Sequence, residues 1–408
     1  MQILWISHFL LFPETGYGGL QRSRNLLKVL SKYHDIHLVC YYRNNDKIFV
    51  PDIEPAINDL KYYCKNVYII PHELNNTQKA FRLLKSVVTR TPYSANIYGS
   101  RQLLNKIQVL ISDHSIDLIH SDTIGMIEPI LNRINRLKVL THHDVESHKM
   151  HRRYDNEGNR LKRIFFLQEY KALRRYEKKY CTRYDSNIAV SEMDKIRLKE
   201  IDGRINVNVI QNGVDCEYFQ YHPRDETSRE LIFTGALDYY PNVKAMLYFC
   251  GKIWPILKSR YPELKLTIIG KNPPSQLQSI SKDDNYINML GYVEDIRPHI
   301  KRAKVFICPI MEGGGTRIKI LDAFSQGIPV VSTTVGAEGL SLEKGKHILL
   351  ADTVAEFVEA VTELMENEEL SKNMGLSARK FVEENYSYDM IGKKMASVYK
   401  EMLDNQIR

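Results

Sequence analysis

A chain of 408 residues is longer than one ordinary hydrophobic core supports and divides naturally into two domains of about 200 residues each. Its 43% hydrophobic content and the lack of any low-complexity run exclude a disordered or fibrous protein. The net charge of +8 leaves nucleic acid, anionic membrane surfaces and phosphorylated ligands open as partners, so the placement of the charge matters more than its size.

The chain opens on MQILWISHFLLF, apolar but without a basic leader region or a small-residue cleavage site, and interrupted by Ser7 and His8. This pattern predicts a buried first strand, Gln2 to Ser7. No later stretch reaches the roughly 18 uninterrupted apolar residues of a membrane span. The cysteines, Cys40, Cys64, Cys181, Cys216, Cys250 and Cys308, lie far apart with no CxxC pair. They read as buried small hydrophobes of a reducing compartment, and a cytoplasmic location is expected.

After the first strand, Thr15-Gly16-Tyr17-Gly18-Gly19 leads into a helical pattern beginning QRSRNLL. The spacing is not GxGxxG, and the second strand, Ile36 to Tyr41, is not followed by an acid, so a dinucleotide fingerprint does not fit. Further strands are predicted at Val67 to Pro71, Asp117 to His120, Lys138 to Thr141 and Asn187 to Val190. His143, Asp144 and Glu146 stand just after the Lys138 to Thr141 strand, where three polar groups suit a ligand better than a core. His142, His148 and His151 surround them, but HHDVESHKMH matches no standard zinc spacing, and no metal is expected.

The positive charge concentrates between Lys149 and Arg183, where Phe166, Tyr170, Leu173 and Tyr180 repeat at helical spacing. The segment predicts one basic amphipathic helix. It is either a solvated face over a core-facing stripe or a surface for anionic lipid or a charged acceptor.

The stretch VNVIQNGVDCEYFQYHPRDETSRE, with a turn at Asn212-Gly213 and a polar linker, marks the domain boundary. A second strand series follows at Leu231 to Thr234, Lys265 to Ile269, Tyr286 to Leu290, Val305 to Pro309, Pro329 to Ser332 and His347 to Leu350. Strands alternating with helical patterns predict two doubly wound α/β domains, with ligands at the carboxyl ends of their strands. We set the domains at 1–208 and 209–385. A closing segment, 386–408, carries a helix from about Met390 to Leu403 that packs back on the first domain.

After VFICPI comes Glu312-Gly313-Gly314-Gly315-Thr316, then a helix carrying Arg317, Lys319 and Asp322. The glycines allow close backbone approach, Thr316 suits a helix cap, and first-turn N–H groups attract anions. Arg317 and Lys319 lie where they reach a diphosphate, through charge-assisted hydrogen bonds of roughly 1.5 to 3 kcal/mol each. Asp322, a turn further on, is placed to accept from a ribose diol.

At this point the chain resembles the family 4 glycosyltransferases, retaining enzymes of the two-Rossmann GT-B fold, over nearly its whole length. VIQNGVD is similar to the family's linker motif, FTGALDYYPNVKAM to the opening of its donor domain, GYVEDIRPHIKRAKVFICPI to its base-binding segment and GGGTRIKILDAFSQGIPVVST to its donor signature. The Gly18-Gly19 loop and HHDVE match more weakly.

The resemblance implies His143 near the transferred sugar, Gly18 and Gly19 beside the diphosphate, and Gly235, Tyr292 and Val293 in the donor site. It places Asp322 where the family's second signature glutamate binds ribose. Two departures stand out. Glu312 lies ten residues before Asp322 instead of the family's eight, and Ala236 follows Gly235 where Arg and Lys are common. Arg317 and Lys319 are expected to supply that charge, with Lys244 the lesser candidate.

The implied activity is transfer of a sugar from a nucleoside-diphosphate sugar to a glycan or lipid-linked acceptor in envelope, capsule or exopolysaccharide synthesis. Asp144 and Glu146 fall on the acceptor side. Neither a cofactor nor nucleic acid is expected, and a peripheral position on the cytoplasmic membrane is. A sugar-nucleotide epimerase or phosphorylase of the same fold, and a basic membrane- or nucleic-acid-binding module, are the alternatives.

Overall fold

A computed structural model describes residues 1–13, 18–43, 46–126, 134–221, 223, 227–312 and 318–407. The chain forms two compact units, Met1–Gln211 with Ile391–Arg408, and Asn212–Met390.

The first unit holds strands β1 (Gln2–Ser7), β2 (Asp35–Arg43), β3 (Asn66–His72), β4 (Leu118–Ser121), β5 (Leu137–His142), β6 (Ser186–Ala189) and β7 (Val207–Val209). They form one parallel sheet in the order β3-β2-β1-β4-β5-β6-β7. The helices that bear on the site and surface are α1 (Gly18–Leu30), α2 (Asn76–Thr89), α3 (Tyr93–Tyr98), α4 (Glu146–Asn156) and α5 (Arg160–Tyr180). β1 shows why an unbroken apolar run forms a strand here. Ile3 and Trp5 enter the core on one face of the sheet and Leu4 and Ile6 the core on the other, so the strand needs no polar side.

The second unit holds β8 (Glu230–Thr234), β9 (Lys265–Ile269), β10 (Ile287–Gly291), β11 (Val305–Cys308), β12 (Val330–Ser332) and β13 (Leu349–Leu350). Their parallel order is β10-β9-β8-β11-β12-β13. Its helices include α6 (Tyr240–Tyr248) and α7 (Ile318–Ser325). In both sheets the strand order reverses beside the first strand, at β1/β4 and at β8/β11. Such switch points open a crevice at the carboxyl ends of the strands.

The last helix, α8 (Tyr388–Ile407), is longer than its apolar pattern predicts. From Ile391 onward it belongs to the first unit, where Ile391, Met395 and Tyr399 enter the Trp5 core at helical spacing. Gly392 lets it lie close to α1: a Cβ there would stand 2.4 Å from Val29 Cγ1. The Tyr399 hydroxyl shares a 2.5 Å hydrogen bond with His120 Nδ1, and His120 stacks on Trp5 at 3.8 Å. Burial drives the His120 imidazole down to about 3, which keeps this core pair neutral.

The basic segment differs from the single helix its charge pattern predicts. α4 and α5 are separate, because Asn156-Glu157-Gly158-Asn159 breaks the chain and Asn159 caps α5 by accepting from the N–H groups of Leu161 and Lys162. The second half of α5 is core-facing through Ala172, Leu173, Tyr176 and Tyr180, while Phe166 and Tyr170 are only half-buried.

Candidate active site

The second unit gathers charge around its switch point. β8 runs into Gly235, whose φ of +152° suits only glycine, and β11 runs toward Glu312. Lys319, on the first turn of α7, reaches back to the end of β8. Its Nζ donates to Asn242 Oδ1 at 2.9 Å and lies 4.1 Å from the centre of the Phe233 ring. Asn242, buried at the start of α6, completes the fork by donating to the Ala236 carbonyl at 2.8 Å. A Cβ on Gly235 would stand 2.4 Å from the Lys319 amine, so the glycine makes the space that the ammonium occupies.

Glu312 is paired with the other lysine of this region, Lys244, at 2.9 Å. Lys244 is thereby engaged with a carboxylate, while Glu312 Oε1 is buried without a hydrogen-bond partner among the described residues. An unsatisfied buried carboxylate oxygen is costly unless a donor comes to it. Asp322 follows one turn after Lys319 on α7. Burial pushes its carboxyl up to about 8, with Lys319 pulling the other way, so it holds its proton at neutral pH. A protonated carboxyl donates as well as accepts, so both roles are open to it toward a diol.

Tyr292 and Val293 follow β10 directly, Tyr292 exposed and Val293 packed against the β8/β11 core. Gly313, Gly314, Gly315, Thr316 and Arg317, like Thr15, Gly16 and Tyr17, lie outside the described residues. Gly18 and Gly19 are the first two residues of α1.

In the first unit, His143 follows β5 and Asp122 follows β4, neighbouring strands of the sheet. His143 Nε2 donates to Asp122 Oδ1 at 3.1 Å, and Ser23 Oγ of α1 donates to Asp122 Oδ2 at 2.6 Å. Asp122 is fully buried. Burial alone would raise its carboxyl, yet the facing His143 and the Ser23 hydroxyl hold it below the ordinary carboxylate range, so it is ionised. With Nε2 held, Nδ1 is the ring atom of the partly exposed His143 left for other company.

The remaining polar groups of the loop are tied to α4. Asp144 pairs with Arg152 at 2.8 Å, and burial raises its carboxyl to about 6. Glu146 pairs with Lys149 at 3.1 Å. The neighbouring histidines diverge: His142 Nε2 donates to Asn187 Oδ1 at 3.1 Å, and His151 pairs with Asp155 at 3.1 Å. Among the described residues, His, Cys, Asp and Glu gather nowhere into a group of metal-ligating form.

Asp122 and Asn242 belong to these constellations and were not singled out in the sequence. Asp122 follows a predicted strand, which was the one available signal. Asn242 stands inside the FTGALDYYPNVKAM motif but carries no signature of its own.

The whole chain is similar in structure to sucrose-phosphate synthase from Thermosynechococcus elongatus, with a TM-score of 0.72 at 12% identity, covering 99% of this chain and 100% of that one. It is also similar to HepE of Anabaena, solved with UDP, at a TM-score of 0.64 and 14% identity, covering 98% and 100%. Two doubly wound parallel sheets in one chain are the GT-B fold of these neighbours. Residues 17–218 match the family described as Glycosyltransferase Family 4 and residues 228–367 that described as Glycosyl transferases group 1, and the chain belongs to this family. An uncharacterized 44.6 kDa protein in the cps region of Klebsiella pneumoniae is 25% identical over 401 residues, 96% of this chain and 97% of the relative.

Proposed function

We propose that the enzyme transfers a sugar from a nucleoside-diphosphate sugar to a hydroxyl of a glycan or lipid-linked acceptor, with retention of anomeric configuration. The observation that carries this reading is the Lys319–Asn242–Gly235 fork at the β8/β11 switch point, a fixed ammonium where a diphosphate would lie. The binding of UDP and UDP-glucose by HepE supports a donor of this class, and the cps-region relative supports a role in polysaccharide synthesis.

In this mechanism the bond between the anomeric carbon and the diphosphate oxygen breaks through an oxocarbenium-like state. Lys319, Arg317 and the backbone of Gly313, Gly314, Gly315 and Thr316 stabilise the departing diphosphate. The acceptor oxygen bonds to the same carbon from the leaving-group face, and its proton passes to the diphosphate, so the products are the glycoside and the nucleoside diphosphate. Asp322 engages the ribose, and Glu312 Oε1 accepts from a sugar hydroxyl. Tyr292 and Val293 flank the base. His143, steadied by Asp122, bonds the transferred sugar through Nδ1, Gly18 and Gly19 approach the diphosphate, and Asp144 and Glu146 line the acceptor side.

Lys319→Ala is expected to lower kcat by roughly 10²- to 10³-fold, the usual cost of removing one donor to developing negative charge. It should also weaken the upward shift in melting temperature that UDP produces by binding the folded state. Turnover and a UDP shift equal to the wild type would refute the donor assignment.

A further inference from the structure

Helix α2, Asn76–Thr89, is built the wrong way round for a surface helix. An amphipathic helix ordinarily turns its apolar stripe to the core. Here Ser86 is its only buried residue, while Phe81, Leu84 and Val88 are 67%, 62% and 73% exposed, and Leu83 and Val87 are exposed beside them. At 100° per residue these five side chains form one continuous apolar arc of about 160°. The helix is held by its polar side instead: Arg82 donates to the carbonyls of Asn96 and Ile97 on α3, both at 2.7 Å. Its start is secured by a capping box between Asn75 and Gln78, so the outward face is carried on a well-formed helix.

Charge says what covers this face. From Leu74 to Arg90 there is no acidic residue. Exposed Lys85 borders the apolar arc on one side, and exposed Lys79 and Arg90 border it on the other. Cations flanking an apolar stripe let the stripe enter an acyl boundary while the ammonium groups remain at headgroup level. The neighbouring α5 continues the pattern, exposing Leu161 and Ile164 among Arg160, Lys162 and Arg163, and its Glu169 accepts from the first N–H of α3, the helix on which α2 rests. Among the described residues no helix is long and apolar enough to cross a membrane, so the contact is interfacial.

We propose that α2 lies in the surface of an anionic lipid bilayer, with Phe81, Leu84 and Val88 inserted and Lys79, Lys85 and Arg90 on the phosphate groups. The binding stands apart from the transferase reading. Only its use rests on that reading, since a lipid-linked acceptor is confined to such a surface.

Sedimentation of the full chain with vesicles tests this, without donor or acceptor present. Vesicles of equal parts phosphatidylglycerol and phosphatidylcholine should bind the wild type, and pure phosphatidylcholine vesicles should bind it at least about tenfold more weakly, because each basic side chain near an anionic surface multiplies partition by about fivefold. The Phe81→Ser, Leu84→Ser, Val88→Ser triple variant should lose binding to both while keeping the wild-type melting temperature, since all three side chains are exposed. Lys79→Glu with Lys85→Glu should abolish the preference for phosphatidylglycerol. Absence of wild-type binding, or equal binding by the triple variant, overturns the proposal. So does a wild-type dimer that the triple variant converts to monomer while vesicle binding is absent, which would give the face to a second copy of the chain.

Discussion

Asp122 holds a full charge in the interior because His143 and Ser23 both donate to it, so neutralising it and deleting it should act differently. Asp122→Asn keeps the shape but replaces an ionised acceptor of His143 with a neutral amide. It is expected to lower kcat by roughly 10- to 100-fold through misplacement of the imidazole, with the donor KM little changed. Asp122→Ala should in addition cost about 1 to 3 kcal/mol of stability, because the buried Ser23 hydroxyl and the partly exposed His143 both lose their acceptor. A variant Asn enzyme with unchanged kcat would separate Asp122 from the reaction. Gly235 offers a second test. In Gly235→Ala the new methyl claims the space of the Lys319 amine and also sits at a backbone angle that side chains avoid. Its kcat should fall toward that of Lys319→Ala while Lys319 itself is still present, which steady-state kinetics on the two variants would show.

At the scale of elements, α8 is the clearest case of a helix whose sequence position and packing position differ. It is last in the chain, yet Ile391, Met395 and Tyr399 are fully buried against β1 of the first unit. Met395→Ala should lower unfolding free energy by about 2 to 5 kcal/mol in urea titration, the range for a large side chain lost from a closed core. A loss below about 1 kcal/mol would mean that α8 is only loosely applied. The strands were legible because burial on both faces writes an unbroken apolar run, and β1 and β9 are found at the limits read from sequence. The break between α4 and α5 is written in Asn156-Glu157-Gly158-Asn159, where a glycine and a capping asparagine interrupt the helical pattern within a strongly basic segment.

For the molecule as a whole, the raised carboxyl of Asp322 links the site to stability. An unfolded Asp loses its proton near pH 3.9, whereas Asp322 in the folded protein keeps it to about 8. Between these limits the folded state binds more protons than the unfolded one, so this group's contribution is full below about pH 4 and is lost as pH rises through 8. Asp322→Asn removes that slope and should leave the variant more stable than the wild type near pH 8, while weakening UDP binding. Melting curves across pH for both proteins decide it: parallel curves would show that Asp322 is ionised in the folded state.

The sequence by itself determined the two parallel sheets, the glycine-rich signature before α7 and the family, because strand, helix and turn preferences depend on residues within a few positions of one another. Only the tertiary structure decided that Lys319 meets Asn242, that Glu312 is taken by Lys244, that Asp122 stands behind His143 and that α2 turns its apolar side outward. Those outcomes depend on which side chains are brought together from distant parts of the chain and on how much water is removed around them. A hydrogen bond between Lys319 and Asn242 leaves no mark on the local pattern of either residue, and neither does the burial that keeps a proton on Asp322.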